Sequence, residues 1–311
     1  MGTGEPRDLE AVKSKFDTKC PYCEGLASHL VSSTDRNRHT TSATFDYYAC
    51  SQCGLVFMDS PPEDMSSFYK GGYESIPETV LELRLSAQSE KYRADPILRH
   101  KKGGRLLEIG PWRGAFSCNM KDAGFEVTAI EMDSACVKFL REQVGIEAIQ
   151  SANPVETMGN LKPGYDVIAA WHSLEHLPEP WLVIERAAKL LSPGGILLLA
   201  MPNPESYEFE VMKNAWMHLD APRHLHFYPI QSLVNLCGSY GLKPLEITTA
   251  DRCSHILSKD AWQAWVCSMV PIRYVRGALA LTVGRLLYWL AAKRHMTDNR
   301  GSGYTTVFVR Q

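Results

Sequence analysis

Four of the nine cysteines stand in two pairs, Cys20-Pro-Tyr-Cys23 and Cys50-Ser-Gln-Cys53. A Cys-x-x-Cys turn aims two thiolates at one point. Two such turns make a tetrahedral thiolate site, the geometry of structural Zn²⁺. The other readings are a pair of redox motifs or coincidence; redox is disfavoured because no thioredoxin-like βαβ pattern surrounds either pair. A second constellation runs from Glu108 to Glu131. Glu108 precedes Gly110 and Gly114, and Glu131 closes the next apolar run, Val127 to Ile130. The glycines let backbone pass close to a ligand, and Glu131 can accept hydrogen bonds from ribose hydroxyls. Trp112 stands where a dinucleotide fingerprint has its middle glycine, which argues against a pyrophosphate. A carboxylate at Glu108 repels phosphate and pairs with an ammonium group. Ribose, adenine and an ammonium without phosphate describe S-adenosylmethionine; a nucleotide-type βαβ unit with another ligand is the alternative.

A third group is the densest polar-aromatic stretch of the chain, Trp216 to Tyr228, with His218, Asp220, Arg223, His224 and His226. His172 and His176 follow another apolar run, Tyr165 to Trp171. A neutral imidazole suits removal of a hydroxyl proton. The planar fork of Arg223 suits a phosphate or carboxylate on an acceptor, and Asp220 could orient an imidazole through its ring N–H. The expectation is His224 as base, Asp220 as orienter and Arg223 as anchor, with His172 as the alternative base. The competing reading is a structural network within the same loop.

These groups need a scaffold. Leu106 to Ile109 is a short apolar run breaking into glycine, Ala115 to Ala123 has a helical pattern ending at Gly124, and Val127 to Ile130 is a second run. That predicts strand, turn, helix, strand. A helix is expected before it over Glu78 to His100, and others over Ala135 to Val144, Trp181 to Leu191 and 230–240. Further strands are expected at Ile146 to Ile149, Tyr165 to Trp171, Ile196 to Ala200, Lys243 to Thr249 and Tyr304 to Arg310. The cysteine pairs bracket a Ser/Thr-rich segment with a strand-like Thr44 to Tyr48, which reads as a zinc ribbon. Asp59-Ser-Pro-Pro-Glu63 marks a linker. Phe68, Tyr69 and Tyr73 follow; packing between domains is favoured for them over a cover for the ligand pocket.

The glycine loop with its two acids, the Glu175-His176-Leu-x-x-Pro stretch after an apolar strand, and Ser192-Pro-Gly-Gly195 before another strand together resemble the class I S-adenosylmethionine-dependent methyltransferases. Glu108, Gly110 and Gly114 match the family's first motif, Trp112 departs from it, and Glu131 matches the acid of the second. The Pro222-Arg-His-Leu225 stretch resembles a subgroup with cysteine-rich N-terminal modules, often linked to cell-envelope sugar and natural-product pathways. The resemblance implies a Rossmann-like seven-stranded α/β sheet with the ribbon at residues 1–62 and the methyltransferase domain at 63–311. It implies S-adenosylmethionine held by Glu108, Gly110, Trp112, Gly114, Glu131, Met132, Ala152, Trp171 and His172. The adenine loop, residues 151–153, lacks the usual acid.

Composition narrows the partners. The chain has 311 residues, 45% of them apolar, and a net charge of −2. That allows a sizeable core and gives no global attraction to nucleic acid. The first 60 residues hold six Lys/Arg against eight Asp/Glu, whereas a nucleic-acid-reading ribbon is usually basic. The start of the sequence has no apolar signal region, so a reducing, cytoplasmic setting is expected. Residues 254–300 form an insertion before the last strand. Ala261 to Thr297 carries no acid but holds Arg273, Arg276, Arg285, Lys293 and Arg294 among apolar and aromatic residues. Residues 261–295 are read as a basic amphipathic helical pair lying on a membrane face, or as a dimer or core-facing hairpin. The expected activity is methyl transfer to a small-molecule or lipid-linked acceptor, saccharide or natural product, at oxygen. A ribbon-bearing RNA methyltransferase and a non-catalytic binding or scaffold protein are the rivals.

Overall fold

The computed structural model describes residues 18–69, 76–269, 277, 280–296 and 299–311. Two sheets organise them. The larger has seven strands, β5 (Gly104–Ile109), β6 (Phe125–Glu131), β7 (Glu147–Gln150), β8 (Tyr165–Trp171), β9 (Leu191–Pro202), β11 (Leu242–Thr248) and β12 (Gly303–Arg310), in the order β11-β12-β9-β8-β5-β6-β7. β7, β6, β5, β8 and β9 run parallel, and β12 lies antiparallel between β9 and β11. The expected seven strands and the returning last strand are therefore present.

Parallel strands buried on both faces read as apolar runs. β8 does so: Val167, Ile168, Ala169 and Ala170 are all fully buried. Helices α3 (Ala115–Asp122), α4 (Ser134–Phe139) and α6 (Pro180–Leu190) cross between the strands. α4 starts at Asp133, whose carboxylate accepts the Cys136 N–H, a side-chain N-cap. Two cores result, one per sheet face. One holds Phe116, Phe125, Val137 and Leu140; the other holds Ile184, Leu190, Leu233 and Phe308.

The single helix expected over Glu78 to His100 is broken. α1 (Val80–Ala87) gives way to a 3₁₀ stretch, Gln88–Arg93, before the short α2 (Asp95–Leu98). Pro96 brings no N–H for a continuous ladder, and the hydroxyls of Ser86 and Ser89 bond back to Leu83 O and Ser86 O.

The smaller sheet contains β1 (Thr18–Lys19), β2 (Leu26–Thr34), β3 (Thr44–Cys50) and β4 (Val56–Met58). Its fifth strand, β10 (His226–Phe227), comes from far along the chain and pairs antiparallel with β4. The ribbon thus shares a sheet with the loop after β9. Its buried Cys20, Ala27, Leu55 and Phe57 continue the core formed by α6 and α8 (Ile230–Ser239), and Tyr22 packs on Trp181 with ring centroids 5.5 Å apart.

In the insertion, α9 (Arg252–Met269) buries Cys253, Ser258, Ala261, Trp262 and Val266 against the rest of the molecule. α10 (Arg285–Met296) packs beside it through Ala291 but leaves Leu286, Trp289 and Leu290 exposed. Arg273, Arg276 and Tyr73 lie outside the described residues. No helix among the described residues is long and apolar enough to cross a membrane.

Candidate functional site: a cofactor cavity beside a buried histidine cluster

The C-terminal ends of β5, β6 and β8 open onto a cavity of about 450 Å³, the place where open α/β sheets bind ligands and a volume within the usual range for one. Glu108, Gly110, Trp112, Glu131, Met132, Ala152, Trp171 and His172 all line it. Gly114 sits behind the loop at φ 84°, and a Cβ there would fall 2.3 Å from Leu140. Gly110 has φ 70°, and a Cβ would meet Ser173 at 2.7 Å.

Trp112 adopts φ 51° although it has a side chain. The loop therefore keeps a glycine-like turn where the family glycine is replaced, at a local cost of order 1–3 kcal/mol. Part of the compensation is visible. The Trp112 N–H donates to Glu131 Oε2 at 2.9 Å, and the Arg113 guanidinium lies 4.2 Å from the Trp112 ring centre. Glu131 also accepts the Asp133 N–H at 2.9 Å. A carboxylate has about four lone-pair sites, so two backbone donors fix its position and leave capacity facing the cavity. Glu108 is buried beneath the loop, and Ser117 donates its hydroxyl to it. Burial pushes the Glu108 carboxyl up to about 7, with the Ser117 bond pulling the other way. A cationic ligand group at this end would restore its charge.

These residues fit S-adenosylmethionine: Glu131 would accept from ribose hydroxyls, the buried Glu108 would pair with the ammonium end, and the loop would bring backbone to the ligand without a phosphate cradle. Ser117 was not legible in the sequence as part of this set, although it lies one helical turn into α3. Arg93 and Glu90 also line the cavity, paired at 3.1 Å; only the 3₁₀ break turns them inward. Tyr69 reaches the wall as well, with its hydroxyl 3.1 Å from His176 Nδ1, so it covers the pocket rather than merely packing domains. Phe68, by contrast, packs on Phe45 at 6.4 Å. A smaller cavity of about 170 Å³ beside β11 and β12 holds none of these groups.

The opposite wall carries His172, Ser173, His176 and Leu177. His172 has φ 49°, a second non-glycine residue in the left-handed region at the cavity. Behind these lies Glu175, fully buried, and its carboxylate oxygens have no hydrogen-bond partner among the described residues. His172 Nδ1 is 3.5 Å and His224 Nε2 is 4.0 Å from Glu175 Oε1. Burial pushes the Glu175 carboxyl up, but the surrounding histidines outweigh it and hold it at about 2.

The Asp220-Arg223-His224 stretch is placed differently from the expected anchor, orienter and base. Arg223 is fully buried. Its Nη2 donates to Asp35 of the ribbon at 2.8 Å and to Asp220 at 2.7 Å, and its Nε donates to Asp220 at 2.8 Å. No part of that fork is available to an acceptor. Asp220 does not orient an imidazole; it serves Arg223 and Asn37. His224 Nδ1 instead sits 2.8 Å from His218 O, and His224 is not among the residues lining the cavity. The stretch, which includes a cis Ala221–Pro222 bond, ties the ribbon to the larger sheet.

The four ribbon thiolates converge. Cys20 Sγ and Cys53 Sγ are 3.7 Å apart, and Cys23 Sγ and Cys50 Sγ 3.5 Å. Those separations are too long for disulfides and close to the edge of a tetrahedron with Zn–S of about 2.3 Å. The donor set fits Zn²⁺.

A doubly wound sheet with this strand order, with a ligand cavity at the ends of β5, β6 and β8, is the Rossmann-like fold of the class I S-adenosylmethionine-dependent methyltransferases. The methyltransferase-domain family model matches residues 84–247, and the chain belongs to that family. The chain is similar to the ubiquinone biosynthesis O-methyltransferases of Bordetella pertussis, 31% identical over 156 residues, and Bordetella bronchiseptica, 33% identical over 132 residues. These matches span 48% and 40% of this chain and 61% and 55% of the relatives' length. Among solved structures, a putative sarcosine dimethylglycine methyltransferase from Galdieria sulphuraria superposes with a TM-score of 0.50 and 14% identity, covering 73% of this chain and 86% of that one. This likeness is one of fold.

Proposed function

We propose that this protein transfers a methyl group from S-adenosylmethionine to a hydroxyl oxygen of a small acceptor. The observation that carries the reading is that Glu108 and Glu131, at the ends of the adjacent strands β5 and β6, line one cavity together with His172 and His176. The bound sulfonium supplies an already activated methyl. The chain's task is then to align an acceptor oxygen with it and exclude water, and orientation of this kind provides much of the rate. Tyr69 and the His172-His176 wall do that here. The relatives named as O-methyltransferases support oxygen as the acceptor atom.

The reading is tested with isotope-labelled S-adenosylmethionine and a panel of hydroxylated small molecules. Label should appear on oxygen in the wild type. Glu131→Ala should weaken cofactor binding by about 1.5–3 kcal/mol, the range for a hydrogen bond to a charged group. Unchanged affinity by calorimetry in a folded variant would remove Glu131 from the cofactor site.

A lipid-linked saccharide or natural-product acceptor is the finer reading, supported by the exposed Leu286, Trp289 and Leu290 on α10. The wild type should float with anionic vesicles, and a Leu286→Glu, Trp289→Glu double variant should not. Identical flotation of the two proteins would argue that this face does not meet lipid.

A further inference from the structure

Glu175 is fully buried behind the cavity wall, and the cavity-lining residue nearest its carboxylate is His172, with Nδ1 3.5 Å away. A buried carboxylate without a close hydrogen-bond donor is costly, and the cationic groups nearest it are histidines, His172 Nδ1 at 3.5 Å and His224 Nε2 at 4.0 Å. The Glu175, His176 and His224 ligand atoms lie within 4.8 Å of one another. Both histidines are already oriented. His176 Nδ1 is 3.0 Å from Arg223 O and 3.1 Å from Tyr69 Oη, while His224 Nδ1 is 2.8 Å from His218 O. Donating Nδ1–H to a backbone carbonyl fixes the tautomer and leaves Nε2 as a bare lone pair, the way ligating histidines are held. The two rings meet edge to face, with centroids 4.6 Å apart and planes 75° apart.

We propose that Glu175, His176 and His224 bind a divalent first-row transition-metal ion, separate from the ribbon zinc, at the acceptor wall of the cavity. Two imidazoles and one carboxylate favour such ions over Mg²⁺ or Ca²⁺, which prefer all-oxygen sites. Three protein ligands leave coordination positions open. His176 is the ligand that also lines the cavity, so an open position on that side meets whatever occupies it. The site does not depend on the methyl-transfer reading. Its role does: an acceptor hydroxyl bound to the ion would lose its proton to solvent at a lower pH than when free.

The loop around His224 acquires a purpose from this. Arg223 is committed to Asp35 and Asp220, and Tyr47 donates its hydroxyl to His224 O at 2.9 Å. The ribbon therefore fixes the backbone that carries one of the three ligands. His172 touches Glu175 but is not needed as a ligand.

The test uses the full chain with its ribbon zinc verified by elemental analysis. Mn²⁺ is the probe, because it does not compete for a four-thiolate site. Titration followed by electron paramagnetic resonance should show one Mn²⁺ bound per chain in the absence of cofactor and acceptor. Electron–nuclear spectroscopy of the bound ion should show imidazole nitrogen coupling. His176→Ala and His224→Ala should each weaken Mn²⁺ binding by at least about tenfold with ribbon zinc retained. A free-ion signal that does not diminish, bound Mn²⁺ without nitrogen coupling, or equal binding by both folded variants would overturn the site. The wild-type stoichiometry and nitrogen coupling decide the matter even if a variant does not fold. Mn²⁺ bound as expected, with no labelled methyl product from any hydroxylated acceptor, would leave the site standing and sink its role and the methyl-transfer reading.

Discussion

Arg223→Ala is expected to lower stability by about 3–5 kcal/mol, the usual cost of removing one partner from a buried ion pair. The reason is what remains behind. Asp35 is buried and Asp220 half-buried, and both direct oxygens at the missing guanidinium. Asp35 keeps the Arg38 and Thr40 N–H groups, which cannot neutralise two facing carboxylates. Urea unfolding of the variant should show the loss. An acceptor anchor would behave otherwise, raising KM and leaving the midpoint of unfolding where it was. Acid supplies an independent check. Burial pushes the Asp220 carboxyl up, but the Arg223 hydrogen bonds dominate and hold it near 2, and Arg223 also holds Asp35 well below the carboxylate range. Both groups have folded values below their unfolded ones. Their contribution is complete above an unfolded pKa of about 4 and is lost as pH falls through the folded values. The wild type should therefore lose stability below pH 4 more steeply than Arg223→Ala does.

The same residues explain what the sequence could and could not carry. The seven strands were legible because buried parallel strands are apolar runs with glycine at their ends, and such a pattern is local. That Glu108 and Glu131 line one cavity was legible because each stands at the end of an apolar run, where the strands of this sheet open. Trp112 departs from the glycine pattern in the sequence itself, but its φ of 51°, which preserves the turn, goes with Glu131 and Arg113 contacts that no local pattern shows. The placement of Asp220 and Arg223, which face each other and not a ligand, was not legible for the opposite reason. The partner that claims Arg223 is Asp35, 188 positions away in the chain, and only the pairing of β10 with β4 brings it near. A dense polar stretch marks a place where charges are concentrated, but not whether they face a ligand or one another. Glu175 was invisible as a candidate because its unmatched carboxylate becomes unusual only when the surrounding histidines are placed around it.

Removing the ribbon metal should have the widest structural effect. Elemental analysis should find one zinc at Cys20, Cys23, Cys50 and Cys53 when no ion has been added to the second site. Cys50→Ser should lose it. Structural zinc sites contribute apparent binding energies of about 10–16 kcal/mol, which in a small module is folding energy. A ribbon separate from the rest would unfold alone. Here it supplies four strands to a sheet completed by β10, and Cys20 and Cys50 are buried against the same core as Trp181 and Leu233. Hydrogen exchange in Cys50→Ser should therefore accelerate over β2, β3 and β4 and also over 216–228, where Tyr47 and Asp35 no longer hold the chain. The central strands β5, β6, β8 and β9 should stay protected, because their other face is packed by a core that contains no ribbon residue. Affinity for S-adenosylmethionine should change little, since Glu108 and Glu131 belong to that protected part, while turnover should fall as the loop carrying His224, against which the cavity-lining His176 packs, loosens. Unchanged protection across the ribbon after zinc is gone would show that apolar packing, not the metal, folds it.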